Sequence, residues 1–89
     1  MTYQLNEKVV FEEVDGEIVI LNLTSGIYYQ LNRSATVVWK GTLANEPARV
    51  IEEKLNQAFE IQECDVQGDM RRSVEDWIAK GLISQVEDG

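Results

Sequence analysis

Val9-Val10-Phe11-Glu12-Glu13-Val14-Asp15-Gly16-Glu17-Ile18-Val19-Ile20-Leu21-Asn22-Leu23 is the stretch that decides the fold of this chain. Its first six residues are rich in β-branched and aromatic side chains, and Asp15-Gly16 follows at once. Asp-Gly between two such runs signals a tight hairpin, because both central residues of a type I′ turn need positive φ. The second run, Glu17 to Leu23, is almost continuously apolar, as expected for a central strand covered on at least one face. A turn at Thr24-Ser25-Gly26 leads into a third strand, Ile27-Tyr28-Tyr29-Gln30-Leu31. Alternation puts Ile27, Tyr29 and Leu31 on one face and Tyr28 and Gln30 on the other. The first third of the chain therefore reads as a three-stranded antiparallel meander.

Beyond Leu31 the period changes from two to about 3.6. Asn32 suits a helix N-cap, and Ala35, Val38, Trp39 and Leu43 form the stripe behind it. Asn45 is placed to end that helix in the left-handed conformation, and Pro47 to open the next at its first position. Ile51, Leu55, Ala58 and Phe59 give the second helix its apolar face. A third helix is expected from near Glu63 to Lys80, closed by Gly81, with Val66, Met70, Val74, Trp77 and Ile78 as its stripe. The fold class is α+β: three strands, then three helices, in one domain over residues 1–89, in a winged helix-turn-helix-like arrangement.

Charge and composition narrow the function. The chain has 8 basic against 16 acidic residues, a net charge of −8. Such a surface repels phosphate backbones and anionic headgroups, which argues against nucleic acid and membranes as partners. The longest apolar run, Ile18 to Leu21, is far too short to span a bilayer, and no signal peptide is visible at the N-terminus. Cys64 is the only cysteine, so an intrachain disulfide is impossible and a reducing, cytoplasmic setting is expected.

Catalysis is not expected. The sequence contains no histidine, which removes the commonest general base and metal ligand and leaves Cys64 without a Cys-His partner. The carboxylates fall in three groups, Glu12-Glu13-Asp15-Glu17, Glu52-Glu53 and Glu75-Asp76, and read as solvated surface. No calcium loop, zinc spacing or glycine-rich phosphate cradle is present, so no cofactor or metal is implied. Trp39 and Trp77 sit on helical stripes at core spacing. Binding is better served by a sheet edge: unpaired N–H and C=O groups of an edge strand accept a guest strand. The same edge also permits pairing between two copies of this chain.

Asp15-Gly16, then Thr24-Ser25-Gly26-Ile27-Tyr28-Tyr29-Gln30-Leu31-Asn32, then Val38-Trp39 resembles the core of PqqD-like proteins. The resemblance continues through Ile51, Leu55 and Phe59-Glu60-Ile61 to Asp69-Met70, Ser73-Val74, Trp77 and Gly81-Leu82-Ile83, and so covers residues 9 to 84. It implies a RiPP recognition element, which binds the leader of a ribosomally made precursor peptide as an added strand. Such an element presents the leader to a radical SAM enzyme, leader peptidase, cyclase or other modifying enzyme. Carried onto this chain, the pairing strand is Ile27, Tyr28, Tyr29, Gln30 and Leu31, and the groove wall is Val66, Met70, Ser73 and Trp77. Ser73 stands where the family has a large apolar residue and Trp77 where it has leucine. Asn45 replaces a glycine, and Pro47 a helix-starting Thr or Ser.

Two other classes compete with leader capture. A winged-helix DNA-binding regulator shares the element order, but its recognition helix would carry Glu63, Asp65, Asp69, Glu75 and Asp76 against Arg71, Arg72 and Lys80. A structural adaptor of an enzyme complex would need the same stable domain and no guest peptide.

Overall fold

Asp15 and Gly16 both adopt positive φ, 53° and 81°, as a type I′ hairpin requires. They join β2 (Val9–Val14) to β3 (Glu17–Asn22) in the computed structural model, which describes residues 2–59 and 66–86. The register is that of a two-residue hairpin, with Val14 opposite Glu17 and Val9 opposite Asn22. At the far end of β3, the Asn22 side-chain Oδ1 accepts from the Thr24 and Ser25 amides at 2.9 and 3.2 Å. That local turn reverses the chain into β4 (Tyr28–Leu31), which pairs antiparallel with β3. The sheet order is β2-β3-β4, so the meander read from the sequence is present.

The strand ends differ from expectation by one residue. Leu23 lies beyond β3 and Ile27 just before β4, although the Ile27 carbonyl still accepts from the Asn22 amide at 3.0 Å. Ile27 is also 52% exposed, whereas Tyr29 is half-buried and Leu31 fully buried. The core-facing stripe of β4 therefore fades toward the turn.

Asn32 ends the sheet abruptly. Its Oδ1 accepts from the Ala35 amide at 2.8 Å, capping α1 (Arg33–Leu43) directly after Leu31. One turn later the buried Thr36 hydroxyl accepts from the Ile18 amide at 3.0 Å. That bond pins the helix start to the last rung of the β3–β4 ladder, where Ile18 stands opposite Leu31. α1 closes as expected: Asn45 has φ 59°, and the Glu46 amide donates to the Gly41 carbonyl at 2.9 Å. These bonds, with Asn45 N–H on the Thr42 carbonyl, form a Schellman end with Asn in the place usually held by Gly.

α2 (Ala48–Phe59) begins one residue later than read, because Pro47 stands before the first helical residue and offers its carbonyl to Val50 and Ile51. Ile51 and Leu55 are buried, but Ala58 and Phe59 are exposed, correcting their assignment to the apolar face. The periodicity continues for a turn past the surface on which α2 packs. α1 and α2 approach closely at Gly41, where an added Cβ would lie 2.6 Å from Ile51 Cγ1.

α3 (Val66–Ala79) buries Val66, Met70 and Trp77, while Val74 is partly covered and Ile78 is at the surface. The expected start near Glu63, and Cys64 with it, lies outside the described residues. Gly81, with φ 74°, closes α3 in a second Schellman end: the Leu82 amide donates to the Trp77 carbonyl at 2.9 Å. Leu82 is completely buried there.

Two strands were not read from the sequence. β1 (Thr2–Leu5) and β5 (Ile83–Val86) pair antiparallel, Thr2 opposite Val86 and Leu5 opposite Ile83, in a separate sheet. Each has four residues, and their pairing joins opposite ends of the chain with no turn between them to announce it. The Tyr3 amide, on the outer side of β1, is satisfied by Asn45 Oδ1 at 3.1 Å. Ile83, Tyr3 and Leu5 join the same core cluster as the larger sheet and the helices. At its centre, Trp39 is buried edge-on to Trp77, with ring centroids 5.1 Å apart, and to Phe11, at 5.5 Å.

Two substitutions test these joints. Thr36→Val removes the buried hydroxyl that accepts from the Ile18 amide and is expected to cost about 0.5–1.5 kcal/mol in urea unfolding, whereas Thr36→Ser stays close to wild type. Gly41→Ala forces Ile51 to shift and is expected to lower stability by about 1–3 kcal/mol, although alanine ordinarily favours helices.

Candidate functional site

The phase of the β3–β4 ladder follows from one hydrogen bond. Asn22 donates to the Ile27 carbonyl, and hydrogen-bonded pairs alternate in an antiparallel ladder. Two residues on, Ile20 and Tyr29 are therefore the next bonded pair. Tyr28 and Gln30, opposite Leu21 and Val19, aim their N–H and C=O groups away from β3. No described strand lies on that side, since β4 is an edge of its sheet, and no other hydrogen bond involves these four groups among the described residues.

The two edges of the sheet are not equivalent. β2 carries Glu12 and Glu13 with Asp15 next to them, and charges along an edge discourage strand addition. Residues 26–32, by contrast, contain no charged side chain. Lys80 Nζ lies 4.9 Å from the centroid of the Tyr29 ring and 2.7 Å from Asp76. Lys80 thus holds the last turn of α3 beside β4 while remaining ion-paired.

A cleft of about 320 Å³ opens at the other end of β4. Its walls are Asn32, Ser34, Ala35 and Val38 from the start of α1, Leu55 from α2, and Val66, Asp69, Met70 and Ser73 from α3. Small side chains at Ser34, Ala35 and Ser73 leave the space open, and Val38, Leu55, Val66 and Met70 make its floor apolar. Its one charged wall residue, Asp69, is ion-paired with Arg72 one turn along α3. The cleft is lined by no residue of β4 itself but begins at Asn32, directly after the strand, so an extended peptide can reach both backbone edge and side-chain volume.

Each residue singled out from the sequence has a definite place. Tyr28 is 70% exposed, Gln30 lies beside it on the same face and donates to Glu17 Oε2 at 3.2 Å, and Leu31 is buried. Ile27 and Tyr29 flank the open edge. Val66, Met70 and Ser73 do line the cleft, but Trp77 does not: its indole is taken up in the contact with Trp39. The sequence reading did not include Ala35, Val38 and Leu55 among the groove residues. Their helical stripes place them toward the interior and give no sign that the interior is open at that point.

A larger cleft, about 610 Å³, lies across α3, between Tyr3, Pro47, Ile51, Arg71 and Val74. It touches no residue of β4. Met70 borders both clefts and is the partition between them. Among the described residues, no group of His, Cys, Asp and Glu is arranged to hold a metal ion, and no helix is long and apolar enough to cross a membrane.

This geometry can be set beside known proteins. Residues 17–83 match the family described as coenzyme PQQ synthesis protein D (PqqD). The chain belongs to the PqqD family. The match begins at Glu17, directly after the hairpin turn, and ends at Ile83, so it takes in β3, β4, the three helices and the first residue of β5. Two solved structures share the fold at 21% identity: lasso peptide synthetase B1 complexed with the leader peptide, and TbiB1 in complex with the TbiA(beta) leader peptide. The first superposes with a TM-score of 0.82 over 96% of this chain and 100% of that one. The second gives 0.78 over 96% and 99%. No curated protein sequence matches the chain. The likeness extends over both sheets, so the terminal pair β1 and β5 is part of the shared fold.

Met70 provides the test of the divided groove. Met70→Ala joins the two clefts and is expected to destabilise the domain by about 2–5 kcal/mol in denaturant unfolding, the range for truncating a buried large side chain.

Proposed function

We propose that this PqqD-family domain binds the leader region of a ribosomally synthesised precursor peptide as a fourth strand on β4 and presents it to a modifying enzyme. One observation carries the reading: Tyr28 and Gln30 offer an unpaired, uncharged row of backbone donors and acceptors beside an apolar cleft. Two proteins of the same fold have leader peptides bound, which supports it. So does family membership, in a pathway name that refers to synthesis rather than regulation.

In this reading the backbone of the guest supplies register and most of the directional bonding. Guest residues directly opposite Tyr28 and Gln30 point to the outer face of the sheet, and the residue between them, opposite Tyr29, points toward the helices. The contact set proposed for the guest is Ile27 to Leu31 on the strand and Val66, Met70 and Ser73 on the helix, with Trp77 acting behind them through the core. Arg72 is ion-paired with Asp69 and Arg71 lines the larger cleft beyond Met70, so the charge of the leader is left to weak long-range attraction. The domain performs no chemistry on its guest. Without histidine in the chain, its contribution to catalysis is to raise the local concentration of the precursor at an enzyme that supplies the reacting groups.

Proline separates edge pairing from folding. Gln30→Pro removes an outward N–H that β3 does not use, and proline is tolerated on an edge in that orientation. The variant should keep its thermal unfolding midpoint within a few degrees while losing at least about tenfold in affinity for a leader peptide that the wild-type domain binds, by isothermal titration. Gln30→Ala should bind like wild type. Undiminished binding by the folded proline variant would overturn strand addition.

A further inference from the structure

The sheet β2-β3-β4 has helices on one face only. Ile18, Ile20 and Leu31 are buried there, and Trp39 packs edge-on against Phe11. The opposite face is apolar as well. Val10, Leu21 and Tyr28 stand directly opposite one another across the three strands, and the next row is Glu12, Val19 and Gln30. Val10, Val14 and Tyr28 are 49%, 52% and 70% exposed, so no described element covers them. A sheet with one solvated face ordinarily alternates apolar and polar residues; here β3 keeps Val19 and Leu21 on the side without a cover.

We propose that this outer face is the docking surface for the modifying enzyme, a protein presenting an apolar patch rimmed by lysine or arginine. The inference rests on the reading of β4 as the guest-peptide edge. Two features select this occupant. The charges set among the apolar residues are Glu12 and Glu17, both acidic, with Lys8 only at the open end, where its carbonyl accepts from Leu23. A second copy stacked on the face would set glutamates against glutamates, whereas a basic rim complements them. The face is also continuous with the guest site. A strand added to β4 places alternate side chains beside Tyr28 and Gln30, on the same surface, so the guest completes the patch. An enzyme that docks there touches domain and guest together and distinguishes the loaded domain from the empty one.

The test uses Val10→Lys/Glu12→Lys, two changes on the strand farthest from β4, together with Glu12→Lys alone, which alters only an exposed charge. Leader titration comes first, then binding of the purified enzyme that modifies the same precursor to the leader-loaded domain, at low and high salt. Leader affinity is expected to stay within about twofold, while enzyme affinity falls at least about tenfold for the double variant, and less at high salt for Glu12→Lys. Unchanged enzyme affinity with intact leader binding would overturn the docking surface and leave the peptide site standing. Failure of the wild-type domain to bind the leader removes the peptide site, and this inference with it, before any enzyme is added. A wild-type dimer in sedimentation that Val10→Lys/Glu12→Lys dissolves would assign the face to a second copy and overturn the proposal.

Discussion

The rest of the structure depends on how the chain leaves its sheet. Leu31 ends β4, Asn32 caps α1, and Arg33 is already helical. With no loop between strand and helix, the chain cannot fold back to lay another strand on β4. The Thr36 hydroxyl accepts from the Ile18 amide, so the last rung of the β3–β4 ladder is tied to the first turn of the helix. A buried amide without a partner would strain this corner by an amount comparable to a large share of a small domain's stability. The open edge is thus tied to a corner held by two side-chain bonds, Asn32 to the Ala35 amide and Thr36 to the Ile18 amide.

Much of this was legible because its causes are local. Asp15-Gly16, Asn32, Asn45 and Gly81 each act through their own backbone conformation or the amides within a turn of them, and each occupies the position its chemistry implies. The strand Ile27 to Leu31 and the α3 stripe were visible for the same reason. What escaped was decided at a distance. β1 and β5 are short, and only the partner at the other end of the chain makes strands of them. Ala58 and Phe59 continue a helical period whose receiving surface has ended. Trp77 shares a face with Met70 and Ser73, yet Trp39 reaches it first. Ala35, Val38 and Leu55 become cleft residues only because small side chains opposite them leave a gap. Periodicity reports which residues point inward, and it is silent on where the interior is incompletely filled.

The core also shows where tolerance is low. Trp39 is almost wholly buried between Phe11 and Trp77, and its indole N–H has no hydrogen-bond partner among the described residues. The edge-to-face contacts offset part of the cost of that unbonded donor. An aromatic cluster of this kind links β2, α1 and α3, so the cleft wall on α3 inherits its position from Trp39, a residue outside the cleft.

The pairing of Thr2 with Val86 has an architectural corollary. Entry and exit of the folded segment stand side by side, in a sheet separate from the one with the open edge. A unit wired in this way can be spliced into a surface loop of another polypeptide with both junctions at one doorway, and with no need to stretch or thread its host. The small terminal sheet is therefore a clasp that makes the module portable.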